Sequence, residues 1–431
     1  MNNFVLKGHI CFSESKTQLK TVENGYAVCV NGICAGVFQE LPEQYAHLPL
    51  TDYGDRLIIP GMVDLHIHAP QYTYRGMRMD LELMEWLNQY TFPEEEKYAD
   101  TAYARKAYGI FTDALRRGAT TRACIFATIH NPATELLMEL MEESGLVTFV
   151  GKVNMDREAS PGLTEESAEA SARDTEEWIR ASAGFRNTKP ILTPRFIPSC
   201  TDGLLEKLGE IQNACGIPVQ SHLSENHGEI DFVRRLRPRN RFYGEGYHDH
   251  GLFGKNRKTG GAVRTIMAHC VWSPAEEVAL MKENGVFIAH CPASNTNVAS
   301  GIAPVRQYLE LGMNIGLGSD VAGGHSESMF TAMVDALQVS RLYWRLVDKN
   351  RRLLNVSEVF YMATKGGGAF FGKVGSFEKG YEFDAVVIDD SLLPHPQPLS
   401  LQERLERSIY LAGDIKALKA KYCRGLLISE E

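Results

Sequence analysis

A repeat of short apolar runs and longer helical segments, beginning near residue 57, most constrains how this chain can fold. Each unit has a run rich in β-branched residues, a polar or glycine-rich turn, and a segment with helical spacing of its apolar residues. This alternation is typical of βα units and a parallel sheet. We predict eight strands, at residues 62–68, 119–126, 147–155, 190–197, 217–225, 264–270, 286–294 and 314–320.

The segments between these strands predict helices at residues 133–144, 165–181, 204–215, 274–284 and 305–311. Eight βα units are what a closed (β/α)8 barrel requires, because each parallel pairing needs a crossover connection. A doubly wound open sheet is the alternative, but no G-x-G-x-x-G motif opens a helix after the first strand. We therefore predict an α/β fold in which residues 58–374 form a (β/α)8 TIM barrel.

The two ends of the chain have a different pattern, typical of antiparallel β structure. Residues 1–57 alternate apolar and polar positions, and Asn31-Gly32 is a hairpin turn signal. Apolar runs at 384–389 and 425–428 are similar. We predict that residues 1–57 and 375–431 combine into one small β-sandwich beside the barrel.

Composition indicates a small-molecule enzyme of the cytoplasm. The 431 residues are 44% hydrophobic and carry a formal net charge of −9, without a basic patch for nucleic acid or anionic lipid. No apolar run is long enough for a membrane span, and the N-terminus has no secretory signal pattern. Nine cysteines at irregular spacings, without a C-x-x-C pair, indicate a reducing compartment rather than a disulfide framework.

Metal-competent side chains occur where four of the predicted strands end. His66 and His68 project to the same face of the first strand, because side chains alternate along a strand. His222, His269 and Asp320 lie at the ends of strands five, six and eight. Buried and unpaired, each would cost several kcal/mol, so their coincidence predicts a shared divalent cation. Imidazoles with one carboxylate suit zinc or iron(II), and the ligand types do not separate the two.

Glu225 follows the strand-five histidine by three residues, which suits a group that gives and takes protons without binding the metal. Its alternative role is a carboxylate at the start of a helix, stabilised by the helix dipole. A metal-bound water with a pKa lowered to ~7 would make such a proton carrier useful in hydrolysis.

Together these motifs resemble the amidohydrolase superfamily, in its mononuclear deaminase branch. The resemblance is carried by residues 60–68, 221–225, 267–269, 290–295 and 318–320. More narrowly the chain resembles the guanine deaminase family, on residues 68–72, 83–87, 90–93, 126–130, 149–156, 193–196, 320–324 and 375–380. The resemblance spans nearly the whole chain.

This resemblance implies a homodimeric enzyme of purine catabolism or salvage that hydrolyses guanine to xanthine and ammonia. It implies one zinc ion per subunit, held by His66, His68, His222 and Asp320. It also implies that Glu225 and Asp320 move protons, while His269 stabilises developing charge beside the metal. The residues implied to contact the purine are Gln71, Arg195, Phe196 and His222.

Two alternatives remain at this point, and the residues present argue against two others. One is a hydrolase of another heterocycle, such as a triazine, pterin or adenine derivative, which would share the metal ligands. The other is a protein that keeps the barrel but has lost catalytic activity, and such a protein would have no reason to retain the metal ligands. A dinuclear site needs a lysine at the end of strand four, which here ends in Arg195-Phe196, whereas Lys189 precedes that predicted strand. Cytidine-type deaminases need P-C-x-x-C besides an H-x-E such as His227-Gly228-Glu229, and the sequence lacks it.

Overall fold

The computed structural model describes residues 3–256, 258–412 and 417–430. It contains parallel strands flanked by helices, and a separate mixed sheet. The α/β class is confirmed. The strands are β1 (Phe4–Ser13), β2 (Leu19–Val30), β3 (Ile33–Phe38), β4 (Leu50–Pro60), β5 (Met62–His68), β6 (Thr120–Phe126), β7 (Val147–Gly151), β8 (Val153–Asn154), β9 (Thr188–Pro190), β10 (Thr193–Pro194), β11 (Val219–Leu223), β12 (Thr265–His269), β13 (Phe287–His290), β14 (Asn314–Leu317), β15 (Ala385–Ile388), β16 (Leu418–Cys423) and β17 (Leu426–Glu430).

The helices lie mainly between the parallel strands, as the alternating pattern predicts. They are α1 (Leu83–Trp86), α2 (Phe92–Glu96), α3 (Thr101–Arg117), α4 (Asn131–Ser144), α5 (Ala168–Ala181), α6 (Asp202–Cys215), α7 (His227–Leu236), α8 (Glu245–His248), α9 (Ala275–Glu283), α10 (Pro292–Asn297), α11 (Val305–Glu310), α12 (Met329–Leu346), α13 (Val356–Tyr361) and α14 (Leu401–Leu411). No helix in the described part of the chain is long and apolar enough to cross a bilayer.

Strands β8 and β10 form a two-stranded parallel sheet, and eight of the other parallel strands form two four-stranded sheets, in the orders β5-β6-β7-β9 and β11-β12-β13-β14. A parallel bridge between Leu192 and Val219 connects one pair of their edges. At the other pair, the Asp320 amide donates to the His66 carbonyl at 2.8 Å, and the His68 amide donates to the Val321 carbonyl at 3.2 Å. The carboxyl ends of the first and last strands are therefore neighbours, which is the edge where the polar residues cluster.

Local capping explains why helices begin directly after these strand ends. Asn226 caps α7, and Glu229 returns its carboxylate to the Glu225 and Asn226 amides, which forms a capping box. The helix start fixes the backbone of Glu225 immediately beyond β11. Similarly, Thr201 caps α6, and Gly216, with φ of +66°, ends it in the left-handed conformation.

Both chain ends contribute to a seven-stranded sheet, in the order β17-β16-β15-β4-β1-β2-β3. The predicted hairpin turn joins β2 to β3, with positive φ at Asn31 and Gly32. The expectation of purely antiparallel strands is wrong, because β1 pairs with β4 in parallel. The β2–β3 hairpin and residues 39–49 lie between β1 and β4. They give the chain enough length to return to the sheet and run parallel to β1. The β4 strand crosses the predicted boundary between residues 57 and 58.

Two details of the predicted strands also differ. The seventh strand was expected to extend over 286–294, but it ends at His290, because Pro292 occupies the first turn of α10. The fourth is interrupted between β9 and β10, and Lys189 lies within β9 with an exposed side chain, rather than before the strand.

Candidate active site

Three imidazoles and one carboxylate meet at the carboxyl ends of the parallel strands. His66 and His68 come from β5, His222 from β11, and Asp320 from the turn after β14. The Nε2 atom of His68 lies 3.2 Å from that of His66 and 3.3 Å from that of His222. Oδ1 of Asp320 lies 3.2 Å from Nε2 of His66 and 3.4 Å from Nε2 of His68. All four side chains are buried or nearly so.

The chemistry of this cluster fits a divalent cation. The Nδ1–H of His222 donates to the Arg195 carbonyl at 2.6 Å, so its Nε2 keeps a lone pair directed into the cluster. Burial, and next the proximity of His66, lowers the pKa of His68 and of His222, which keeps both rings neutral. Ligand atoms ~2.0–2.1 Å from a tetrahedral metal are themselves about 3.3 Å apart, which matches the spacing here.

Asp64 holds the two ends of this cluster together. One carboxylate oxygen accepts the His66 amide at 3.1 Å and the Ser319 amide at 3.0 Å, and the other accepts the Ser319 hydroxyl at 2.5 Å. Asp64 is fully buried. It therefore fixes the position of the β5 histidines relative to Asp320.

Glu225 and His269 lie beside the cluster. Oε2 of Glu225 is 3.3 Å from Nε2 of His269, which in turn is 3.6 Å from Oδ2 of Asp320. The Ser300 hydroxyl donates to Glu225 at 3.0 Å, and Asn295 contacts Nδ1 of His269 at 2.8 Å. Burial, and next the charge of Asp320, raises the pKa of Glu225 to about 8. A carboxyl with such a pKa can give and take a proton near neutral pH.

A cavity opens onto these groups. Leu83, Trp86 and Leu87 from the α1 region form an apolar wall. Most of the other lining residues are polar or aromatic. All the residues that the sequence pointed to reach this cavity or the cluster below it: His66, His68, Gln71, Arg195, Phe196, His222, Glu225, His269 and Asp320. A pocket with an apolar wall on one side and several convergent polar groups on the other suits a small planar ligand with a polar edge.

Sequence reasoning missed three residues of this site. Asn295 and Ser300 hold His269 and Glu225, and Glu95 contacts both Gln71 and Arg195. Asn295 belongs to the motif at 290–295 that carried the resemblance, so a signal was present. Glu95 is the middle one of three consecutive glutamates, and nothing in the sequence distinguishes it. The sequence has another pair of histidines spaced like His66 and His68, at His248 and His250; neither lines this cavity, and His250 pairs with Glu206.

Comparison with known proteins agrees with this geometry. The amidohydrolase family matches residues 57–418. The chain belongs to this family. Guanine deaminase of Dictyostelium discoideum is 38% identical over 385 residues, which cover 87% of this chain and 83% of that protein. Guanine deaminase of Mus musculus is 37% identical over 380 residues, which cover 85% and 82%.

A solved structure extends the comparison to three dimensions. The crystal structure of guanine deaminase from C. acetobutylicum, with guanine bound in its active site, is 45% identical to this chain, with a TM-score of 0.95. The match covers 99% of this chain and 100% of that one. Amidohydrolases are metal-dependent, and the protein is a hydrolase that acts on carbon–nitrogen bonds.

Proposed function

We propose that this protein catalyses the hydrolytic deamination of guanine to xanthine and ammonia. The observation that carries the proposal is that Gln71 and Arg195 line the same cavity as the histidines and Asp320. A planar ring can therefore present a hydrogen-bonding edge to these two side chains while its amino-bearing carbon lies beside the cluster. The similarity to guanine deaminases, one of them solved with guanine, supports this choice of ring.

In this proposal one zinc ion per subunit is held by His66, His68, His222 and Asp320, and iron(II) accepts the same ligands. The cation, when bound, supplies a nucleophile at neutral pH by lowering the pKa of a water molecule toward ~7. The neutral state of His68 and His222, and the orientation of the His222 ring, support this ligand set.

Glu225 and Asp320 carry the protons of the reaction. Glu225, protonated near neutral pH, donates to the ring nitrogen beside the amino-bearing carbon, which makes that carbon more electrophilic. Asp320 accepts a proton from the attacking water as its oxygen bonds to the carbon. The Asp320 proton then passes to the amino group, the C–N bond breaks, and ammonia leaves. The proton of the new hydroxyl returns to Glu225 as the carbonyl of xanthine forms.

His269 and the walls of the cavity support these steps. Nε2 of His269 faces both Glu225 and Asp320, so its protonated form stabilises negative charge that develops between them. Arg195 and Gln71 contact the polar edge of the purine, and Phe196 and His222 pack alongside the ring. These contacts hold the reacting carbon in one place, which contributes to rate by orientation.

Turnover of four heterocycles tests the proposed substrate. Metal-replete protein is incubated separately with guanine, adenine, cytosine and ammeline, and ammonia release and the ultraviolet spectrum are followed. We expect guanine to be hydrolysed far faster than the others. If only another heterocycle is hydrolysed, guanine is not the substrate, although the hydrolytic chemistry stands. If the metal-bound protein hydrolyses none of the four compounds, the substrate assignment is wrong.

We also propose that the two parallel sheets form one closed (β/α)8 barrel over residues 58–374, with a β-sandwich built from residues 1–57 and 375–431. The hydrogen bonds at both junctions between the parallel sheets support closure. In such a barrel the carboxyl ends of the strands surround the active site.

A homodimer completes the proposal. The C-terminal end of α12 exposes Leu342, Leu346 and Val347, and Leu346 is 74% exposed. Large apolar side chains exposed near one another on one helix end occur at association surfaces. Sedimentation equilibrium of the wild type and of Leu346→Asp checks this proposal, and a monomeric wild type would contradict it.

A further inference from the structure

Glu95 is a buried carboxylate that holds both polar side chains at the edge of the substrate cavity. It lies on α2 and is 1% exposed. Nη1 of Arg195 donates to its Oε2 at 2.5 Å, and Nη2 donates to its Oε1 at 3.0 Å. Nε2 of Gln71 donates to the same Oε1 at 2.8 Å. Three donors therefore converge on one carboxylate.

These contacts fix which way the Gln71 amide points. An ionised carboxylate only accepts hydrogen bonds, so the NH2 group of Gln71 must face Glu95. At the opposite end, Oε1 of Gln71 accepts the amide of Ala322 at 3.1 Å. Gln71 thus has one amide hydrogen and one lone pair left, and these are what it can offer to a ring in the cavity.

The same carboxylate orients and neutralises Arg195. The guanidinium is 3% exposed, pairs with Glu95 through two nitrogens, and lies over the Phe92 ring with Cζ 5.1 Å from its centroid. The remaining N–H groups of Arg195 are still available as donors, but the positive charge is balanced by Glu95. Stability alone does not account for this arrangement, because replacing a buried ion pair by apolar residues is often neutral or stabilising.

We propose that Glu95 is a positioning residue that sets specificity: it orients Gln71 and Arg195 toward a neutral purine, and by balancing the charge of Arg195 it disfavours anionic purines. The inference rests on the proposed function, since it assumes that guanine, a neutral ring, contacts these two side chains. Glu95 itself lies behind them and does not line the cavity.

Three variants separate the effects of shape and charge. Glu95→Gln replaces two carboxylate oxygens by one carbonyl oxygen, so it cannot accept all three donors and leaves the charge of Arg195 unbalanced. Glu95→Asp keeps the negative charge but shortens the side chain. Glu96→Gln, on the same helix, is the matched control, since Glu96 contacts the Gly162 amide near the surface. For each holoenzyme, KM and kcat for guanine and the inhibition constant of urate, an anionic purine at neutral pH, are measured.

We expect Glu95→Gln to raise KM for guanine about tenfold or more, with a smaller change in kcat, and to tighten urate inhibition by about threefold. Glu95→Asp is expected to raise KM without tightening urate inhibition, and Glu96→Gln to match the wild type. Metal content and thermal midpoints verify that each variant is folded.

The outcomes distinguish this inference from the proposed function. Unchanged KM in Glu95→Gln, or equal weakening of guanine and urate, would overturn the role of Glu95 while wild-type turnover of guanine upholds the function. If Glu95→Gln does not fold, an unchanged KM in Glu95→Asp overturns the inference. A wild type that does not turn over guanine overturns the proposed function and this inference with it.

Discussion

The two carboxyl groups nearest the reacting centre have opposite ionisation tendencies, although both are buried. Burial is the largest influence on each and raises its pKa. For Asp320 the neighbouring imidazoles, His66 foremost, outweigh burial and hold the pKa below its usual range. For Glu225, burial and next the negative charge of Asp320 raise the pKa. Titratable pairs separated in this way are typical of an acid and a base in one site.

Replacement of Glu225 by Gln tests the proposed role of Glu225 as the acid that protonates the ring. The amide keeps the size of the side chain but cannot donate an acidic proton, so we expect kcat for guanine to fall about 10²- to 10⁴-fold. Metal content is expected to stay at one equivalent, because Glu225 is outside the proposed ligand set. Glu276→Gln, an exposed change on α9, serves as the control. Near-normal turnover by Glu225→Gln would contradict the assigned role.

Among single residues, the sequence predicts those whose type is unusual for the segment in which they occur. Histidines and an aspartate at the ends of apolar strands are conspicuous, and the structure places all of them in one cluster. Glu95 was not predictable, because its importance depends on which of three adjacent glutamates the helix turns inward. Glu94 and Glu96 are partly exposed, and only Glu95 is buried against Arg195.

Among the elements, β5 was predicted with its observed limits, Met62–His68, because it is buried along its whole length and its apolar run is bounded clearly. The pairing of β1 with β4 had no local signal, since whether two strands pair in parallel depends on the path of the chain between them. The break between β9 and β10 likewise depends on Pro190 and Pro194, whose rings remove backbone donors from the sheet.

Gly318, directly after β14, allows a test of how closely the strands pack around the proposed metal ligands. A Cβ atom on Gly318 would lie 2.9 Å from the Cβ of His66 and 2.9 Å from the Sγ of Cys291. Gly318→Ala therefore has to displace His66, and we expect metal affinity to fall about 10- to 100-fold. Metal titration with a competing chelator measures this. Gly184→Ala, where a Cβ meets nothing within 4 Å, is the control, and equal affinity in both variants would contradict the expectation.

A second test concerns the start of α13. Glu358 accepts two hydrogen bonds from Arg306, at 2.8 and 2.6 Å, and one from the Asn355 amide. We expect Glu358→Gln to lower the free energy of unfolding by about 3 kcal/mol, as measured by urea denaturation. In the exposed pair of Glu310 with Arg351, Glu310→Gln is expected to cost less than about 1 kcal/mol.

The pH dependence of this effect follows from the pKa of Glu358. Burial raises that pKa, but hydrogen bonds and charge from Arg306 outweigh burial, so the folded-state pKa is lowered. The stabilisation is therefore fully present above the unfolded pKa of about 4.3 and is lost as pH falls through the folded value. The difference in the free energy of unfolding between the wild type and Glu358→Gln should therefore become smaller as the pH falls below about 4.3. A difference that grows on acidification would contradict this assignment.

Across the whole molecule, the metal site joins elements that are otherwise distant in the chain, so the proposed cation contributes to folding as well as to activity. Removal of the metal leaves buried imidazoles and Asp320 without a common partner. A ligand at a thousand times its Kd stabilises the folded state by about 4 kcal/mol. We expect chelation to abolish guanine turnover and lower the thermal midpoint by several degrees, and zinc to restore both. Full activity in a metal-free preparation would contradict the proposed site.

The carboxylate of Asp64 bonds directly to Ser319, 255 positions further along the chain. Its hydrogen bonds to Ser319, and the contact of the Asp320 carboxylate with His66, can therefore form only after the chain has been synthesised beyond residue 320. A nascent chain that ends between residues 222 and 320 has the three proposed histidine ligands but lacks Asp320, so it offers the cation an incomplete set. The proposed ligand set thus predicts that metal uptake is a late event in the synthesis of this protein, and that a ribosome-stalled fragment binds zinc more weakly.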